Sequence, residues 1–190
     1  MLRQITSFLF LPLFLYQGAS GNKTSLYDDQ QAYEIYSAIL PSEWPIRDAH
    51  TKTLIIQTET KGFEMCLRPD KESEEKLGPA ISDYTRLNAK PLLLQRRIDI
   101  ETPYQLIMAE QLNTKSNAGW EEFGRRYPDS RGWIELSAVG FNNEKTVAVV
   151  YMGHHCGPLC GGGGFHVLKK KAGRWVELKE WKGGSCSWAA

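Results

Sequence analysis

Apolar residues recur at helical spacing over 28–40, where Ala32, Ile35, Tyr36 and Ile39 share one side and Pro41 ends the run. Asp28 and Asp29 suit the positive end of that helix. Residues 53–58 are rich in β-branched side chains and predict a strand. A second helix is expected to open at Gly78-Pro79, with the proline in its first turn and Ile81, Tyr84 and Leu87 on one face. Residues 98–100 and 104–108 predict two short strands broken at Pro103. Ser116 is placed to cap a third helix over 117–126, and Pro128 ends it.

The last third of the chain is the most regular. Ile134, Leu136 and Ala138 alternate with Glu135 and Ser137, the pattern of a half-buried strand. Residues 146–152 are almost continuously apolar, as in a central strand covered on both faces. Residues 165–169 and 175–178 predict two more strands, joined by a tip at Lys171-Ala-Gly173. The expected fold class is α+β: a single domain in which a C-terminal four-stranded antiparallel meander packs one face against the N-terminal helices.

Between the second and third of these strands lies Met152-Gly-His-His-Cys-Gly-Pro-Leu-Cys-Gly-Gly-Gly-Gly-Phe-His166, read as a long glycine-rich loop. It contains three of the four histidines and two of the four cysteines. The remaining histidine, His50, stands alone and reads as an exposed or capping residue. Trp44, in the turn 41–45, reads as a lid on the core.

The N-terminus changes the picture. Arg3, the apolar run 8–16 and the small residues Gly18 and Ser20 describe a secretory signal peptide over 1–20, leaving 21–190 as the mature domain. The apolar run is too short to span a bilayer, and Pro12 interrupts it. Export to an oxidising compartment, secreted or periplasmic, makes Cys66, Cys156, Cys160 and Cys186 a disulfide framework. Three full pairings are possible. A short Gly-Pro-Leu spacer favours Cys156 with Cys160, which leaves Cys66 for Cys186. Asn22-Lys-Thr24 is a glycosylation sequon that matters only in a eukaryotic source. The whole chain is formally +1 and Arg3 is the only charge in the leader, so the mature domain is formally neutral (+1 − 1 = 0). That balance gives no reason to expect nucleic acid or a membrane surface as partner.

Three segments, Ser137-Ala-Val-Gly-Phe-Asn142, Cys156-Gly-Pro-Leu-Cys-Gly161 and Leu168-Lys-Lys-Lys-Ala-Gly-Arg-Trp175, together resemble an uncharacterised group of exported bacterial proteins. The resemblance covers the last third of the chain. It implies a bacterial source and carries no activity, substrate or cofactor with it.

The chemistry of the residues narrows the reading further. There is no Gly-x-Ser-x-Gly elbow. Gly161 to Gly164 lack the Lys-Ser/Thr of a phosphate-binding loop, and a strand follows instead of a helix. Cys-x-x-x-Cys is not the spacing of a thiol-redox motif. The leading expectation is an exported, disulfide-stapled, non-catalytic module, without a cofactor, that binds a small molecule or serves an envelope protein. The alternative is a copper or zinc protein using His154, His155 and His166, joined by Cys156 and Cys160 only if these are reduced. An enzyme of unrecognised type, hydrolytic or thiol-redox, comes third. Adjacent strand residues point to opposite faces, so at most one of His154 and His155 is expected to join a cluster, with His166 reaching it across the loop.

Overall fold

The computed structural model describes residues 24–42, 50–178 and 181–190. The leader, Asn22 of the sequon and Trp44 lie outside them. The chain is a mixed α+β structure built on one large, mostly antiparallel sheet.

Helix α1 (Gln30–Ile39) starts at Asp29, whose carboxylate accepts the Gln31 N–H at 3.0 Å. Strand β1 (Leu54–Gln57) is buried along its whole length. The short strand β2 (Arg68–Pro69) leads into α2 (Lys71–Leu87). This helix begins well before the Gly78-Pro79 start expected from sequence. Asp70 caps it by accepting the Ser73 N–H at 2.8 Å, and Glu72 and Glu74 sit in its positive first turn. Pro79 therefore lies inside the helix, which persists because Leu77, Ala80 and Tyr84 bury one face against the sheet.

Strand β3 (Tyr104–Ile107) and the single turn α3 (Ala109–Leu112) follow, then α4 (Asn117–Arg126), capped by Ser116. Residues 98–100 form no strand, although Ile98 is buried. The last third supplies β4 (Trp133–Leu136), β5 (Gly140–Phe141), β6 (Val147–Gly157), β7 (Cys160–Lys171), β8 (Arg174–Glu177), β9 (Gly183–Gly184) and β10 (Ser187–Ala189).

The four segments expected to form a meander do pair in sequence, β4 with β6, β6 with β7 and β7 with β8, all antiparallel. The expected four-stranded sheet is corrected by what surrounds them. Eight strands take part, in the order β10–β7–β6–β4–β1–β3, with β5 also on β6 and β8 also on β7. Strand β1 runs parallel to both β3 and β4. The earlier helices also cover both faces, not one. Helix α1 packs with Leu54, Ile56, Ile134, Leu136, Ala148 and Val150 on one side. On the other, α2 meets Val147, Val149, Tyr151 and Val167, while Phe123 of α4 meets Ile55 and Trp133. Double coverage explains why Glu135, expected on a solvent face, is buried together with its neighbours in β4.

Strands β4 and β5 lie end to end along the same edge of β6; between them Ser137 still donates its N–H to the Tyr151 carbonyl (3.0 Å), and residues 138–139 leave the ladder. Side chains take over the orphaned backbone groups. The Tyr36 hydroxyl donates to the Ser137 carbonyl (2.6 Å), Asn88 bonds both the N–H and the carbonyl of Ala138, and the Tyr27 hydroxyl accepts the Val139 N–H (2.9 Å). This need for hydroxyl groups explains the buried tyrosines Tyr27, just before α1, and Tyr36 within it. Burial pushes the Tyr27 and Tyr36 phenols well above their ordinary range, so both remain neutral.

Candidate functional site

The stretch read as a loop is a hairpin. Strand β6 runs on through His154 and His155 to Gly157, β7 begins at Cys160, and the ladder pairs Met152 with Gly164, Gly153 with Gly163, His154 with Gly162 and His155 with Gly161. Glycine has a low strand propensity, and the pairing holds here because of what the missing side chains admit.

The glycines serve two faces differently. On the α2 and α4 side, a Cβ at Gly163 would stand 2.6 Å from the Tyr151 hydroxyl and 2.7 Å from the Trp188 ring nitrogen. One at Gly153 would meet the Glu135 and Tyr151 oxygens at 2.8 Å, and one at Gly161 would meet the Trp188 ring at 3.1 Å. These three positions make room for a buried polar chain. The Trp188 indole N–H donates to the Tyr151 hydroxyl (2.7 Å), which lies 3.3 Å from Glu135 Oε1 as its donor. Lys61 Nζ donates to Glu135 Oε2 at 2.8 Å, and His155 Nε2 lies 3.5 Å from the same oxygen. The His155 ring stacks on Trp133 with centroids 4.1 Å apart. At Gly132, φ is +116° and a Cβ would fall 1.9 Å from the His155 carbonyl oxygen, so the entry to β4 requires glycine.

Glu135 is only 2 % exposed. Burial acts to raise its carboxyl, but the contacts from His155 and Lys61 outweigh it and hold the group below its ordinary value. Burial, aided by the neighbouring Glu135 carboxylate, pushes the Tyr151 phenol up. The cluster is therefore a buried anion paired with the Lys61 ammonium.

On the α1 side the glycines are less crowded, Gly164 least of all. A Cβ at Gly164 would touch Ser187 Cβ at 3.5 Å, an ordinary contact, and one at Gly162 would come to 3.3 Å from the Trp188 carbonyl oxygen. Neither has a positive φ that would demand glycine. They line a cleft of about 370 Å³ together with Met152, His154, His166 and Glu177, closed at one edge by β10. His166 Nδ1 stands 3.1 Å from Glu177 Oε1. Burial, and then the proximity of His155, lower the His154 imidazole, so it is neutral around neutral pH.

The histidines and cysteines separate as follows. His154 and His155 take opposite faces of β6. His166 shares the His154 face, but it sits four residues along β7 from Gly162, the partner of His154. At ~3.3 Å per residue that is ~13 Å along the strand, and the group of ligand atoms within 4.8 Å of one another holds His154, Cys156 and Cys160 without His166. Cys156 and Cys160 form a disulfide with Cα atoms 5.0 Å apart, and Cys66 and Cys186 form the other at 5.9 Å. His154 offers a ring nitrogen that lies with both sulfurs of the Cys156–Cys160 pair inside a 4.8 Å circle. His50 is exposed at a turn. Sequence reasoning missed Glu135, Lys61, Tyr151 and Trp188. No local signal marks them, since only the sheet brings them together.

Among the described residues, no helix is long and apolar enough to cross a membrane. Comparison of the chain with protein-family models, curated proteins and solved structures found no match.

Proposed function

We propose that this chain is an exported, disulfide-stapled binding module of the secreted or periplasmic space, allied to the exported bacterial proteins that its C-terminal motifs resemble. Its ligand in this reading is a small, flat molecule of mixed polarity, held without catalysis on the α1 face of the β6–β7 hairpin. One observation carries the proposal: Gly164 is a glycine where the protein itself has room for a side chain. A cleft floor made of backbone lets a ring lie flat, while His154, His166 and Glu177 offer polar contacts and Met152 an apolar one. The volume of about 370 Å³ falls at the low end of the range of small-molecule sites. Two disulfides support residence in an oxidising compartment.

Gly164→Val is the direct test, because a Cβ there makes only ordinary contacts, with Ser187 Cβ at 3.5 Å and the Cys186 carbonyl oxygen at 3.8 Å. Heteroaromatic fragments titrated into the labelled protein are expected to shift the backbone resonances of Gly162, Gly164, His154 and His166, and Gly164→Val is expected to abolish those shifts while leaving the melting temperature within a few degrees. Fragments that bind the variant as well as the parent, or that map to another surface, would overturn the assignment.

A further inference from the structure

The tip of the β6–β7 hairpin carries a bridge that the fold does not need in order to hold its shape. The ladder already pairs His155 with Gly161 and Gly157 with Cys160, so the backbone brings Cys156 and Cys160 together whether or not their sulfurs are joined. The bridge closes a sequence separation of only 4, against 120 for Cys66–Cys186, and a loop that short restricts the unfolded chain least. Cys160 is exposed, and Leu159 beside it is the most exposed large apolar residue described, so a reductant and an ion have open access. Next to the bridge stands His154, its ring nitrogen and the two sulfurs all within 4.8 Å of one another.

From this arrangement we infer that the hairpin tip is a redox-gated site for a soft metal ion: with the Cys156–Cys160 bridge opened, two thiolates and the His154 imidazole bind Cu(I). A dithiol reductant supplies the two electrons and two protons that convert the bridge to two thiols, and is itself oxidised to a disulfide. Binding of the ion then displaces both thiol protons to solvent. Thiolate and imidazole are ligand types that copper accepts, and thiolates in particular select Cu(I) over harder ions. Three protein ligands fall short of the four that close a structural zinc site. The oxidised form has no thiolate to offer, so binding is switched by the redox state of the tip. The site borrows His154 from the wall of the cleft but not the cleft's occupant. It stands if that ligand proves to be something else.

The experiment uses the full mature chain with Cu(I) presented as its bicinchoninate complex under anaerobic conditions. The protein is compared as isolated, and after reduction with a phosphine that is then removed. The reduced parent is expected to withdraw one equivalent of Cu(I) from the chelator, and the oxidised parent none. Cys156→Ser/Cys160→Ser, reduced in the same way, retains the Cys66 and Cys186 thiols and so shows any copper that those would take; it is expected to take none. His154→Ala, which keeps both tip thiols, is expected to hold Cu(I) at least tenfold more weakly than the reduced parent. Equal uptake by the oxidised and reduced parent, by the double variant and the parent, or by His154→Ala and the parent, would each overturn the site. Failure of Gly164→Val to affect fragment binding would leave every one of these results unchanged.

Discussion

Glu135 sits where its charge is costly: in the middle of a strand buried on both faces, with Lys61, His155 and Tyr151 around one carboxylate. An anion in that position is tolerated only while its partners remain, since removing one leaves the burial cost uncompensated. Lys61 is half-exposed and screened by water, which limits its share. Lys61→Met is therefore expected to cost about 1–3 kcal/mol at neutral pH, toward the lower end. The sign of its pH dependence follows from the depressed carboxyl. A group held below its unfolded value, near ~4.3 for glutamate, contributes stability that is in place above that value and is lost as the pH falls through the lower folded one. The penalty of Lys61→Met should then shrink in acid. Denaturant titrations of parent and variant near neutrality and at about pH 3, where an unfolded carboxyl is mostly protonated, measure it. A penalty that does not change between the two would mean that the Lys61–Glu135 contact is not what stabilises the anion.

At the scale of elements, what the sequence displayed depended on whether the decisive signal was local. Helix α4 was legible at both ends because its cap, Ser116, and its stop before Pro128 lie beside it. Helix α2 was cut short because Pro79 suggests a beginning, whereas the actual signals, Asp70 with Glu72 and Glu74, lie in a charged run ahead of the apolar spacing. The β6–β7 hairpin was hidden more completely. Five glycines beside a Cys-Gly-Pro turn suggest a loop, and only the packing of Tyr151, Glu135 and Trp188 against their bare backbone explains a strand there. The candidate site was legible as a stretch of chain but not as a geometry, because alternation along β6 and β7 separates His155 from His154 and the register separates His154 from His166. A local signal is also locally testable. Ser116 accepts the Gly119 N–H at 3.1 Å, and Ser116→Ala should cost about 1 kcal/mol. Ser116→Asp, which preserves an acceptor at the same position, should recover most of the loss in thermal melts. If Ser116→Asp melts no higher than Ser116→Ala, the side-chain cap is not what holds the start of α4.

The whole molecule is tied together across its longest sequence separations. The bridge from Cys66 to Cys186 spans 120 residues and anchors the C-terminal segment to the first half of the chain. Next to it, β2 pairs with β9, and β10 pairs with β7 opposite Gly162, Gly163 and Gly164. Trp188 in β10 then donates to Tyr151 and packs over Gly161 and Gly163, so the last residues complete both the buried polar chain and one edge of the cleft. Strand β10 is three residues long and pairs on one side only, which on its own gives little local stability. The bridge is expected to make its docking persistent. By loop-closure reasoning, a cross-link of this length contributes about 4–5 kcal/mol, less whatever strain the native geometry retains. Cys66→Ser/Cys186→Ser should therefore lower global stability by a few kcal/mol, whereas Cys156→Ser/Cys160→Ser, which opens a far shorter loop, should lower it by about 2 kcal/mol or less. The long-loop variant should also show faster amide exchange at Gly163, the β7 residue whose N–H faces the freed strand, than at Val149 in the centre of the sheet. Protection at Gly163 that matches the parent would place the anchoring of β10 in its own strand pairing and the Trp188–Tyr151 contact, and not in the disulfide.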